Sequence, residues 1–213
     1  MILASASPRR RQLLQQIGYE PECIAAEIDE QARSSEPADA LVRRLARSKA
    51  MVVWRSQVES QCRTQQLPAG PDPAPLIIVG ADTVIELDGD LLGKPLDRRH
   101  GLAMLQRLSG REHSVFSGVC VITGDAAASC IEPDVQQLCV RTRVRFGQIA
   151  ATQAEAYWDG GEPAGKAGGY AIQGAAAQFV AHLSGSYSNV VGLPLYETHA
   201  LLARALSSAD PPA

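Results

Sequence analysis

Leu76-Ile77-Ile78-Val79-Gly80-Ala81-Asp82-Thr83 is the stretch that decides the fold. Its first four residues form a continuous apolar run, the signature of a strand buried on both faces. Thr83 to Leu87 extends it, and Asp88-Gly89 is a hairpin turn signal. The strand delivers a carboxylate, Asp82, with a glycine shortly before it. In open α/β sheets ligands sit at the carboxyl ends of strands. A carboxylate there serves as a general base or as an oxygen ligand for Mg²⁺. The plainer reading is a strand-end Asp making a turn hydrogen bond.

Strand and helix patterns alternate on both sides of this run, which argues an α/β chain. At the start, Leu3-Ala4-Ser5-Ala6-Ser7-Pro8-Arg9-Arg10-Arg11 leads from a strand ending at Ser5 into a helix from Pro8. Ser7 suits the N-cap and Pro8 the first helical position. Free N–H groups and guanidiniums crowd this helix start, which favours a phosphate. A basic first turn bathed in water is the alternative.

Cys23 to Ile28 reads as a second strand, and Pro37 to Arg55 as a helix. Gln57 to Pro75 is polar and proline-rich, an exposed connection. Asp97 caps a helix ending before Gly110. His113–Thr123 and Leu138–Phe146 alternate as antiparallel strands do. Arg141, Arg143 and Arg145 share one strand face, read as solvated. Thr152 with Glu155 forms a capping box. A glycine-rich loop, Gly160 to Gly174, precedes a last helix opened by Pro194. Ser207 to Ala213 reads as a tail.

The chain has 213 residues and a formal net charge of −3, which argues against general nucleic-acid binding. A basic segment in an acidic protein points instead to a small anionic ligand. No run approaches membrane-spanning length, and Met1-Ile2-Leu3 leaves no room for a signal peptide. The five cysteines lack paired metal-type spacing and read as reduced thiols of a cytosolic protein.

Three further groups qualify the chemistry. Lys94, in Gly93-Lys94-Pro95, returns toward Asp82 after the hairpin. Lys49 follows Leu45 by one helical turn, so its stem can lie along the buried face. Glu30 can join Asp82 around a metal. Each alone has an ordinary surface reading. Lys166-Ala167-Gly168-Gly169-Tyr170-Ala171-Ile172-Gln173-Gly174 lets backbone approach a ligand closely, and Gln173 offers both a donor and an acceptor to a base edge. A flexible hinge loop is the alternative. With no covalent nucleophile in view, the inventory fits metal-assisted attack of water on a phosphoanhydride.

Six ordered blocks carry a resemblance: LASASPRRRQLL, LARSKA, GADTVIELDGDLLGKP, LSGREHSVFSGV, KAGGYAIQG and GSYSNVVGLPL. Together they run from Leu3 to Leu195, and the chain resembles the Maf nucleotide pyrophosphatases. The resemblance implies a single domain over 1–213. Its fold would be like that of the inosine triphosphate pyrophosphatases, a long mixed sheet with flanking helices and two lobes around a cleft. It implies hydrolysis of a nucleoside triphosphate to the monophosphate and pyrophosphate with a divalent cation, Mg²⁺ or Mn²⁺, in a cytoplasmic homodimer. Asp82 would be the proton acceptor and, with Glu30, hold the metal. Lys49 and Lys94 would handle phosphate, and Ser5 and Arg10 would bind the polyphosphate. Arg9, Thr83 and Gln173 match the dTTP/UTP type, whereas the 7-methyl-GTP type carries Trp, Gln and Glu there. Two readings stay open beside it: 7-methyl-GTP as substrate, and a nucleotide-binding regulator of septum formation with little catalysis.

Overall fold

The computed structural model describes residues 1–64, 75–125 and 132–207. The elements run β1 (Ile2–Leu3), α1 (Pro8–Gln16), β2 (Glu22–Cys23), α2 (Ala38–Thr64), β3 (Leu76–Leu87), β4 (Asp90–Leu92), α3 (Arg98–Leu108), β5 (Glu112–Gly124) and β6 (Asp134–Phe146). They continue with α4 (Ala151–Asp159), β7 (Val180–Ser184), α5 (Tyr187–Val191) and α6 (Leu195–Ser207). Two short 3₁₀ turns, Ala167–Gly169 and Ala175–Phe179, lie between α4 and β7.

Among the described residues the strands form one seven-stranded mixed sheet in the order β2-β1-β3-β5-β6-β7, with β4 also on β3. β1 is parallel to β2 and β3; the remaining pairs are antiparallel. β3 alternates its allegiance as a strand must. Ile77, Val79, Ala81, Ile85 and Leu87 join the core under α1, α3 and α6. Ile78 and Val84 pack against α2 on the other face. The apolar run is thus covered on both sides, as its composition predicts.

Asp88 (φ 55°) and Gly89 (φ 86°) make the β3–β4 turn with left-handed backbone at both central positions. Asp97 caps α3 by accepting from the His100 N–H at 2.7 Å.

Several sequence expectations need correction. β1 ends at Leu3, short of Ser5, and β2 is confined to Glu22–Cys23. Ser7 occupies the N-cap of α1 but its side chain caps nothing; its own N–H donates to Ser5 Oγ at 3.1 Å. The helix α2 runs to Thr64, so residues 57–64 are helical and not part of an exposed connection. Pro68, Pro71 and Pro73, with residues 208–213 of the expected tail, lie outside the described residues; Pro75 directly precedes β3, and Ser207 itself ends α6. Thr152 and Glu155 sit inside α4. The cap lies two residues earlier, where Gln153 Oε1 accepts from the Ala150 N–H at 2.9 Å. Among the described residues, Cys23, Cys120 and Cys139 are free thiols.

Candidate active site

β1 pairs with β3 only through Ile78 and Val79, and β4 begins to pair at Ile85. Between them, residues 80–84 keep β5 on one side and have no described strand on the other. A cleft of about 990 Å³ lies here, and both Asp82 and Thr83 line it. Asp82 is therefore mid-strand, not at a strand end as the sequence suggested. Its backbone reaches the ligand space because β1 stops early.

Adjacent strand residues point to opposite faces, so Asp82 and Thr83 serve two different sides of the cleft. On the α2 face, Lys49 Nζ donates to Asp82 Oδ1 at 2.6 Å and pairs with Glu30 Oε1 at 2.5 Å. Lys49 is 7% exposed. Glycine makes this approach feasible. A Cβ at Gly80 would stand 2.2 Å from the Ala46 carbonyl oxygen, and one at Gly118 would stand 2.3 Å from that of Val42. Both glycines let α2 settle onto the sheet beside Asp82, which is paired across from Gly118.

Glu30 comes from a segment without regular structure. Burial pushes its carboxyl pKa up, but the hydrogen bond and charge of Lys49, with the charge of Lys94, outweigh that and leave it lowered. Lys94 Nζ is 3.6 Å from Glu30 Oε2 and remains well exposed. The hairpin thus brings Lys94 to Glu30.

On the other face, Arg10 donates through Nε to the Gly192 carbonyl at 3.0 Å, through Nη1 to Ser5 Oγ at 3.3 Å and through Nη2 to Thr83 Oγ1 at 3.3 Å. Its partners are all neutral. Burial lowers the Arg10 pKa, with Asp82 and Glu30 acting in the opposite sense from a distance. The first turn of α1, with no side-chain cap, adds backbone N–H donors beside it. Ser5, Arg9 and Arg10 all line the cleft; Arg11 is exposed.

The glycine-rich loop closes the far end. Glu162 anchors it, accepting from Tyr157 Oη at 2.7 Å and from the Ala175 N–H at 2.9 Å. Lys166 lines the cleft and donates to the Glu162 carbonyl. Burial lowers the Lys166 pKa, and the charge of Arg9 lowers it further. Burial also lowers that of Arg9, while Glu162 and Tyr157 raise it. Tyr170 lines this end too. Gln173 does not: Ala171 and Ile172 before it are buried, the Ala175 N–H after it is tied to Glu162, and Gln173 faces solvent. The loop presents Lys166 to the cleft where the sequence reading favoured Gln173.

Asp82 and Glu30 supply oxygen ligands suited to a hard divalent cation, which commonly takes one or two carboxylates and completes its shell from water and phosphate. Among the described residues no group of three or more His, Cys, Asp or Glu side chains could hold a metal unaided. A metal here would share its ligands with a bound polyphosphate.

Sequence comparison fits this architecture. The pattern of the Maf-like protein family matches residues 1–205. A protein of Acinetobacter baylyi named dTTP/UTP pyrophosphatase is 46% identical over 202 residues, covering 95% of this chain and 97% of its own length. Proteins of the same name from Pseudoalteromonas atlantica (43% identical, 96% of each chain) and Alkalilimnicola ehrlichii (44%, 94% of this chain and 90% of the relative) align similarly. The chain belongs to the Maf-like protein family.

Proposed function

We propose that this protein is a nucleoside triphosphate pyrophosphatase that hydrolyses dTTP and UTP to the monophosphate and pyrophosphate. The observation that carries the reading is the cleft in which Asp82 is held by Lys49 on one face of β3 while Arg10 waits on the other. The names of the full-length relatives supply the substrates.

In this reading water attacks the α-phosphorus, and the bond from that phosphorus to the bridging oxygen breaks as pyrophosphate leaves. The water proton passes to Asp82. Lys49 occupies Oδ1, so Oδ2 is the oxygen oriented to accept it. Arg10, Lys49 and Lys94, with the first-turn N–H groups of α1, offset the negative charge of the phosphates. Asp82 and Glu30 would hold the divalent cation, which when bound neutralises phosphate oxygens. Arg9 and Lys166 would meet the base, whose two carbonyl oxygens in uracil and thymine suit donors. Thr83 and Gln173 are expected to act on specificity without direct contact in this conformation.

The free thiols and the nucleotide substrate suit the cytoplasm, and no described helix is long and apolar enough to cross a membrane. The resemblance also supports a homodimer, which sedimentation would test. The deciding experiment is pyrophosphate release from UTP, dTTP and 7-methyl-GTP with Mg²⁺ or Mn²⁺. UTP and dTTP should be turned over at least tenfold faster. Preference for 7-methyl-GTP overturns the substrate assignment. Binding of UTP with no turnover favours the regulator reading.

A further inference from the structure

A buried chain of polar groups runs away from Arg10 into the sheet. Thr83 Oγ1, which accepts from Arg10, lies 2.8 Å from Ser117 Oγ and 3.3 Å from the Gly192 carbonyl. Ser117 is fully buried and donates to the Asn189 carbonyl at 3.2 Å. Asn189, also fully buried, is fixed in turn: its side-chain amide donates to the Val115 carbonyl at 3.0 Å and to Thr142 Oγ1 at 2.9 Å. Its backbone N–H donates to Ser186 Oγ, the cap of α5.

Proton counting shows what this chain does. Each hydroxyl has one proton and can also accept. When Ser117 donates to Asn189, the 2.8 Å contact is made by Thr83 donating to Ser117 in preference to the more distant Gly192 carbonyl at 3.3 Å, and Thr83 accepts from Arg10. In that arrangement Arg10, Thr83 and Ser117 each donate toward Asn189, and bonds so aligned strengthen one another in a low-dielectric interior. The far end is rigid because Asn189 spans β5, β6 and α5. The near end is a guanidinium with five N–H groups, three of them taken by neutral oxygens. Two donors and the whole positive charge are left for a ligand in the cleft.

We propose that Ser117 is a positioning residue for Arg10, acting through Thr83 to hold the guanidinium ready for a polyphosphate. This rests on reading the cleft as a triphosphate site. It also gives Thr83 a different part from base contact, since its hydroxyl is engaged on both sides within the protein. Loss of either hydroxyl loosens the Nη2 arm of the fork while Gly192 and Ser5 still hold the other two contacts, and the ligand must then order that arm on binding.

The test uses inorganic tripolyphosphate as probe, with affinity measured by calorimetry on the full chain. Parent, S117A, T83V, S117A/T83V, R10A and R10A/S117A are compared, with melting temperature recorded for each. Both S117A and T83V should weaken binding about tenfold, and the double variant should be no weaker than either single one. In the R10A background S117A should change nothing further. T83V removes the same link from the partly exposed side, which keeps the test decisive should S117A fold poorly. Equal losses with and without Arg10, no loss in S117A and T83V, or a parent that does not bind tripolyphosphate each overturn the proposal. Nucleotide hydrolysis by the parent is judged separately: S117A coupled to Arg10 in a protein that releases no pyrophosphate would leave the relay standing and remove the enzymatic reading.

Discussion

Lys49 Nζ lies 2.6 Å from Asp82 Oδ1, although the two residues belong to a helix and a strand 33 positions apart. The ammonium also holds Glu30, so one cation orients both carboxylates that face the cleft.

Removing that cation separates two effects. Lys49→Met should lower UTP turnover by at least 100-fold, because Asp82 loses its orientation and the phosphates lose a counter-charge. Binding of Mn²⁺ without nucleotide should be as tight as in the parent or tighter, since Lys49 no longer competes for Glu30 and Asp82 oxygens. Calorimetry with Mn²⁺ reads this directly, and weaker Mn²⁺ binding would contradict the shared role of the two carboxylates.

Packing and chemistry meet at Gly80. Gly80→Ala places a methyl 2.2 Å from the Ala46 carbonyl and 2.9 Å from the Ala50 Cβ. Relief requires α2 to move off β3, at a cost of about 1–3 kcal/mol. Lys49 precedes Ala50, so turnover should fall along with the melting temperature. An unchanged melting temperature would mean that α2 does not depend on this close approach.

Much of this was legible in the sequence where local chemistry decides the outcome. Leu76–Val79 had to be a two-sided strand, Asp88-Gly89 a tight turn and Asp97 a cap, because each depends on neighbours within a few residues. Other features depend on contacts distant in sequence. The early end of β1, which leaves residues 80–84 uncovered, has no local marker. Ser7 had the chemistry of a cap, but its side chain makes no cap bond, and its own N–H goes to Ser5 Oγ. Glu30 looked like any surface acid until α2 brought Lys49 to it. Lys49, Lys94, Arg10 and Ser5 were found through their motifs, and all line one cleft. Nothing in the local sequence marks Ser117 or Asn189, and only tertiary hydrogen bonds distinguish them. Gln173 had the right donors and acceptors, but its buried neighbours turn it outward.

His113 gives the fold a pH signature. Its ring is 2% exposed, with Nε2 2.8 Å from Tyr170 Oη and Nδ1 without a partner. Burial lowers its pKa to about 4. The folded protein therefore keeps His113 neutral while the unfolded chain protonates near its ordinary value. The associated stability is complete above about pH 6.5 and is lost as pH falls toward 4, at up to about 1.4 kcal/mol per pH unit. Melting temperatures at pH 7.5 and 5 should differ less in His113→Gln than in the parent. Glu36, held down to about 2 chiefly by its hydrogen bond to Arg44 against the upward push of burial, adds stability that is full above about pH 4.5 and is lost only as pH falls from there toward 2. Equal pH dependence in both proteins would contradict the neutral buried ring.

The central claim is that Asp82 takes the proton of the attacking water. Pyrophosphate release from UTP and dTTP, measured with Mg²⁺ or Mn²⁺ for the parent and for Asp82→Asn, tests it most directly. Asparagine keeps the size and one oxygen but cannot serve as the base. The account predicts loss of at least 100-fold in turnover, with circular dichroism and melting temperature close to the parent's. Parental turnover in a folded Asp82→Asn protein would contradict it.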